Sequence, residues 1–469
     1  MLFNSFVFLL AFLPASLLLH ALVVRYRPGW RLPLLLALSF VFYGYWDWRF
    51  LPLLAFSILF NWLIAESFSR SHRVVLITAA LAANLAVLGV FKYAGFFADL
   101  LNLAPGLSVP RLEWALPLGI SFFTFHHIMY LTDLRAGKAP RYDLVRYGLY
   151  IAFFPQVLAG PLVRWSEVMH QFDERPYQRR DAEERFARGL MLLVAGLAKK
   201  VFLGDQLAEY TNPIFAAAEA GQALNMGEAL QGALGFTFQV YFDFSGYTDM
   251  ALGLGLLFGI VLPQNFDVPY RATSLSDLWR RWHMTLSRFL RDYLYIPLGG
   301  NRHGQARTYT ALMGTMLLGG LWHGAAWTFV VWGGLHGTYL AVERWLKARF
   351  AGWTPGPAAI VGLGLMTYAL INLTWVFFRA KTFTGAGTVL TSMAGFADKP
   401  VGMIALLPMI YAMVIVGGIV STHWWMRDKT LEIAIERTPS WLVGGLLATM
   451  AVAVLSEQGK GSAFIYFQF

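Results

Sequence analysis

Apolar runs separated by short basic turns recur along almost the whole chain of 469 residues. Residues 3–24 form the first, with no basic residue before it and Arg25, Arg27 and Arg31 directly after. That flank order opposes a cleaved signal peptide. By the positive-inside rule it places the N-terminus outside and the 25–31 turn in the cytoplasm. Residues 32–46, 50–68 and 74–91 read as the next crossings; the second of them returns to the basic turn of Arg70, His72 and Arg73. Trp46 and Trp48 mark an interface. Residues 95–103 are too short to span and are expected to form an interfacial helix, whereas 116–134 form a crossing that carries His126 and His127.

Residues 147–161 have basic residues on both sides, Arg146 and Arg164, so a full crossing would break the charge rule. A re-entrant segment is expected, with Pro155 and Gly160-Pro161 breaking the helix against protein or a water-filled cavity. Residues 164–188 are cytoplasmic, and 189–203 are a short crossing with Lys199 and Lys200. The 205–230 stretch has Asp205, Glu209, Glu219 and Glu228 but no Lys or Arg, and is read as an outside loop. Residues 235–263 return, with a polar break around Asp243, Ser245, Gly246, Tyr247 and Asp249.

Seven arginines, at 271, 280, 281, 288, 291, 302 and 307, put 264–307 in the cytoplasm. There Ser274 or Ser276 caps a helix that runs through Trp279 to Tyr295 and dips into the membrane. Residues 311–342 form a hairpin broken at Gly333-Gly334 and return to Arg344, Lys347 and Arg349. The last spans are 359–378, 402–420 and 441–455, which leaves the C-terminus outside and Arg379 and Lys381 on the side that the charge rule disfavours.

Composition agrees with this pattern: 57% hydrophobic, 16% aromatic and only 14% charged residues describe a polytopic membrane protein. At about 20 residues per span the chain has room for about 11–12 transmembrane helices plus re-entrant and interfacial pieces. Residues 1–469 are expected to be a single all-α integral-membrane domain with no soluble domain. The absence of cysteine excludes acyl-cysteine intermediates, disulfides and thiolate-bound metal. A formal charge of +10 fits cytoplasmic loops rather than nucleic-acid binding.

The chemistry concentrates on two histidines. His323 sits in an apolar run without Asp, Glu, Lys or Arg from 311 to 342. An ionisable group at that depth is a functional candidate, and a neutral imidazole can take a proton from a hydroxyl. On a helical wheel His283 falls with Trp279, Leu286 and Leu290, facing an apolar interior. It is either a packing residue or a group on the cytoplasmic side of the same cavity. Arg280, Arg281, Arg288 and Arg291 are topology determinants or ligands for the phosphates of a nucleotide-containing donor. Asp243 and Asp249 orient a histidine or pair with an arginine, because a carboxylate inside a span rarely stays unpaired. No nucleophile elbow, Walker-type loop or HExxH zinc site is present. The residues alone leave an enzyme and a proton-coupled transporter both open.

The string Arg280-Arg281-Trp282-His283-Met284-Thr285-Leu286-Ser287, then Arg291-Asp292-Tyr293-Leu294-Tyr295-Ile296-Pro297-Leu298-Gly299-Gly300 and Leu321-Trp322-His323-Gly324, resembles the membrane-bound O-acyltransferase (MBOAT) family in its alginate O-acetyltransferase branch. Phe154-Pro155-Gln156, Ala159-Gly160-Pro161, Asp243-Phe244-Ser245-Gly246-Tyr247-Thr248-Asp249, Pro263-Gln264-Asn265-Phe266 and the terminal Phe464-Ile465-Tyr466-Phe467-Gln468-Phe469 resemble it too. The resemblance implies an MBOAT-like funnel and acyl transfer across a bacterial inner membrane; the termini that the charge rule places outside are then periplasmic. His323 matches the family's central histidine and His283 its second. Trp282, Trp322, Asp243, Asp249 and Asn265 join the four arginines as substrate-binding candidates. No bound cofactor is expected; acetyl-CoA is the implied donor substrate. The implied partners are the bilayer, periplasmic acetyltransferase or acceptor proteins and a polysaccharide synthase complex. An acyl transporter or flippase, and transfer of D-alanyl or peptidoglycan type, are the alternatives.

Overall fold

The computed structural model describes residues 1–111, 114–175, 178–397, 414, 417–418, 421, 440–457 and 464. It is all-α, with no strand among the described residues, as a bilayer requires of a chain that must satisfy its own backbone hydrogen bonds. Among the described residues, four helical stretches are long and apolar enough to cross a membrane: Val7–Tyr26, Trp48–Ser71, Val74–Leu101 and Pro357–Arg379. Two compact units emerge, Met1–Leu197 with Tyr247–Gln264, and Ala198–Gly246 with Asn265–Phe469.

In the first unit a π-helical turn, Val7–Phe12, leads into α1 (Leu13–Tyr26). Then follow α2 (Arg31–Trp46), α3 (Leu51–Ser71), α4 (Val74–Leu101), α5 (Ile120–Arg135), α6 (Leu144–Ala152), α7 (Phe154–Val157), α8 (Trp165–Phe172) and α9 (Ala182–Ala198). The interfacial helix expected at 95–103 is instead the end of α4, since a lone glycine costs a helix only about 1 kcal/mol and breaks nothing. Within 147–161 the helix is broken and buried: α6 stops at Phe153, α7 is a single turn, and residues 150–163 are all buried. Polar contacts join these apolar helices. Asn61 and Asn84 exchange side-chain hydrogen bonds at 3.1 and 2.7 Å. His127 bonds Ser57 (2.8 Å) and Tyr147 (2.6 Å). Buried Arg31 donates to the carbonyls of Phe172, Glu174 and Phe258, where helix ends leave acceptors open.

The second unit begins with the π-helical Lys199–Asp205 and α10 (Gln206–Glu219). The 205–230 loop is therefore mostly helix: missing basic residues report the side of a membrane, not irregular backbone. Next is α11 (Met226–Leu257), continuous through the expected polar break at 243–249. It needs no break because the Asp243 carboxylate is neutralised by Lys200 (2.5 Å), which also holds Asp205 (2.7 Å). Lys200 and Asp205 reach one face because a π turn, unlike an α turn, aligns residues five apart.

The expected single helix through 279–295 is three pieces: α12 (Leu275–Arg281), α13 (Met284–Leu290) and the π-helical turn Arg291–Tyr295. Ser274 caps α12 as expected. Then come α14 (Gly304–His323), α15 (Trp327–Arg349), α16 (Pro357–Arg379), α17 (Phe383–Met393) and a terminal helix, Ser440–Glu457. The hairpin turns at 324–326, not at Gly333-Gly334, which lie inside α15. Those glycines serve packing. A Cβ on Gly320 would come 2.3 Å from the Phe329 carbonyl oxygen, and one on Gly333 would come 2.3 Å from that of Met316. The expected span at 402–420 and the terminal motif at 464–469 lie almost wholly outside the described residues.

Candidate active site

His283 occupies the break between α12 and α13 with a left-handed backbone, φ 43° and ψ 52°, and its side chain is fully buried. A β-branched residue there would be strained, and even histidine is uncommon in this region. Neighbouring backbone holds the break in place. The Met284 N–H donates to the Asn265 carbonyl (2.9 Å), and the Asp267 N–H donates to that of Arg281 (2.9 Å). Asn265, also buried, turns its Oδ1 to the Thr285 N–H (3.2 Å), the Thr285 hydroxyl (2.9 Å) and His283 Nδ1 (3.1 Å). A backbone N–H can only donate, so this atom is an oxygen acceptor and His283 Nδ1 must carry the proton. Neutral His283 therefore presents its lone pair at Nε2. Asn265 Nδ2 is left as a buried donor without a hydrogen-bond partner among the described residues. The Phe244 ring stands edge-on to the imidazole at 4.7 Å.

His323 ends α14, where the helix stops at extended Gly324. Its imidazole is buried and boxed by Trp322 (4.8 Å), Trp332 (5.1 Å) and Phe378 (5.1 Å), all edge-on. At Gly324, just past the helix end, a Cβ would fall 2.1 Å from the Phe329 ring, so only glycine fits there. Trp322 also meets His283 at 6.2 Å, so one indole adjoins both imidazoles. A second aromatic path runs from Trp282 through Trp375 (5.2 Å) and Trp332 (6.0 Å) to His323. The two histidines singled out in the sequence are thus brought into one aromatic enclosure, together with Trp282, Trp322 and Asn265.

The charged candidates are not. Arg281 is engaged by Asp267 (2.6 Å) and Asp277 (3.0 Å), and Arg291 by Asp292 (2.7 Å). Arg288 is half-buried, and Arg280 is exposed with no carboxylate partner among the described residues. Asp243 pairs with Lys200, and Asp249 belongs to the first compact unit. Glu343 fixes α12 to α15: it accepts from the Ser276 N–H (2.9 Å) and hydroxyl, and Lys347 binds the same carboxylate (2.5 Å).

Several participants escaped the sequence reading. Trp332 and Phe378 carry no signal beyond being aromatic, and Phe244 stood only inside a family-like string, with no role assigned to it. Lys200, an ionisable group in an apolar run, did signal a missing partner, and Asp243 supplies it.

Residues 107–374 match the MBOAT, membrane-bound O-acyltransferase, family. The chain belongs to this family. Across 85% of its length this MBOAT chain is 41% identical to a probable alginate O-acetylase of Azotobacter vinelandii, 79% of which is covered. It is 39% identical to a peptidoglycan O-acetyltransferase of Helicobacter pylori, over 84% of this chain and 80% of that protein. A teichoic acid D-alanyltransferase of Streptococcus thermophilus is 29% identical over half of this chain and 58% of its own length. The MBOAT chain is accordingly an O-acyltransferase, and the transporter alternative is set aside.

Proposed function

We propose that this MBOAT protein lies in a bacterial inner membrane and moves an acetyl group from a cytoplasmic thioester, acetyl-CoA or a close relative, to a hydroxyl acceptor presented from the periplasm. The modified polymer is an exopolysaccharide of alginate or cellulose type, and the partners are periplasmic acetyltransferase or acceptor proteins beside a polysaccharide synthase complex. The enclosure of His323 and His283 around one shared indole carries this reading. His323 takes the acceptor's hydroxyl proton while the oxygen attacks the thioester carbonyl carbon. The tetrahedral oxyanion then collapses, the C–S bond breaks, and the departing thiolate receives the proton from the imidazolium.

His283, with its lone pair at Nε2, accepts a hydrogen bond and so positions the donor; it is not a donor to the oxyanion. The adjacent Asn265 Nδ2 is the group suited to that task. Of the four candidate arginines, Arg280 is exposed and has no carboxylate partner among the described residues, which suits it to a donor phosphate.

The test uses the protein in nanodiscs with radiolabelled acetyl-CoA and candidate acceptors. His323→Gln, which keeps reach but loses the base, is expected to insert normally and to lower transfer by about 10²–10⁴-fold, with donor binding intact. His283→Asn, chosen because asparagine tolerates the left-handed backbone, is expected to raise KM for the donor more than it lowers kcat. If His323→Gln retains more than about a tenth of wild-type transfer, a smaller loss than general-base help predicts, His323 is structural and this mechanism fails.

A further inference from the structure

Helices α14 and α15 form an antiparallel hairpin, and α16 runs back along α15. One end of this trio carries Arg302 and Arg307 before and in the first turn of α14, and Arg344, Lys347 and Arg349 late in α15. The other end carries His323, the first turn of α15 and the last turn of α16: Phe378 packs on both His323 (5.1 Å) and Phe329 (4.9 Å). The next residue, Arg379, is the anomaly. If the basic end is cytoplasmic, Arg379 and Lys381 are cations on the disfavoured side.

Arg379 is half-buried and has no carboxylate partner among the described residues. Its Nη2 donates to Asn212 Oδ1 (2.9 Å), and its guanidinium lies against the rings of Phe215 (5.2 Å) and Phe236 (5.9 Å). The nearby Glu219 is committed elsewhere: its carboxylate accepts from the N–H groups of Lys381 (2.6 Å) and Thr382 (3.3 Å) and from the hydroxyl of Thr382 (2.7 Å), the residue that caps α17. The Lys381 ammonium is exposed and makes no ion pair with a described residue. A guanidinium removed from water and held by an amide and two ring faces keeps most of its fork unused, and that fork matches a carboxylate in two-point contact.

We infer that Arg379, assisted by Lys381, is an anion-recognition site beside His323 that selects a carboxylate-bearing saccharide as the acceptor. This rests on the acceptor approaching from the Arg379 end. Phe378 is the physical link, since its backbone neighbour binds the acid while its ring walls the base. The carboxylate anchor thereby fixes which hydroxyl of the sugar reaches the imidazole.

The experiment measures binding without turnover. The protein in neutral-lipid nanodiscs is titrated, without donor, with a short oligouronate and with its uncharged methyl ester of equal length. Wild type is expected to prefer the acid by at least about tenfold, less at high salt. Arg379→Gln, which can still bond Asn212 and fill the gap between the rings, is expected to bring the two affinities together, with Arg379→Lys intermediate. Lys381→Gln, altering an exposed side chain, is expected to reduce the preference by a smaller factor and serves if Arg379→Gln fails to insert. A wild type without preference overturns the inference, as does a preference that survives both glutamine variants or an equal loss of both ligands in Arg379→Gln. Displacement of the oligouronate by inorganic phosphate more readily than by acetate overturns the carboxylate assignment. Loss of the proposed transfer reaction would leave this preference intact, so the two readings fail separately.

Discussion

Asn265 holds the geometry of His283 through a single oxygen. Removing that oxygen strands the Thr285 N–H, the Thr285 hydroxyl and His283 Nδ1 in a dry interior, and each orphaned group costs about 1–3 kcal/mol. Asn265→Ala is therefore expected to lower transfer by at least about tenfold, with a lower Tm. Thr285→Val removes only one of the three donors and leaves the imidazole oriented. Its expected loss is within about threefold, close to one neutral hydrogen bond. Equal losses in the two variants, measured by transfer of labelled acetyl in nanodiscs, would show that Asn265 does not orient His283. Sequence periodicity did place His283 in an apolar interior, and it is fully buried. The wheel reached that result through a continuous helix that does not exist. What buries the imidazole is a left-handed break, and no residue type in that string announces one; glycine or asparagine would have.

At the scale of the element, the α14–α15 hairpin positions His323 by letting two backbones approach at Gly320 and Gly333. The Gly333-Gly334 pair looked like a turn, because glycine serves both flexibility and close approach and sequence does not separate the two. The substitutions do separate them. A Cβ on Gly333 would lie 2.3 Å from the Met316 carbonyl oxygen, whereas one on Gly334 would meet only the Leu317 side chain at an ordinary 3.6 Å. Gly333→Ala must spread the hairpin, and a displacement of about 1 Å at a catalytic group costs on the order of 10²-fold. Transfer is expected to fall by at least about tenfold and thermal stability with it. Gly334→Ala is expected to match wild type in both, or to gain slightly from helix propensity. If both alanines are tolerated, the hairpin does not set the position of His323. The continuity of α11 teaches the same lesson about charge. Asp243 looked like a break because its partner, Lys200, lies far back in the sequence, and only the fold brings the two together.

For the whole molecule, apolar run lengths foretold the all-α membrane class and most helix positions, since the bilayer imposes them. Run lengths say nothing about which side each end faces. That question turns on charge alone, and here the charges conflict: Arg302, Arg307, Arg344, Lys347 and Arg349 at one end of the α14–α16 trio, Arg379 and Lys381 at the other. Five cations against two favour the first end as cytoplasmic. The 20 residues of α14 at 1.5 Å each span about 30 Å, the thickness of the hydrocarbon core. Single cysteines make the test direct because the chain has none. In intact cells stripped of their outer membrane, Lys381→Cys is expected to react with an impermeant maleimide, and Arg302→Cys only after permeabilisation; both side chains are exposed. Labelling of Arg302→Cys without permeabilisation, with Lys381→Cys protected, would invert the molecule. His323 would then lie near the cytoplasmic surface, the acceptor could no longer arrive at the Arg379 end from the periplasm, and both the direction of transfer and the carboxylate site would have to be abandoned together.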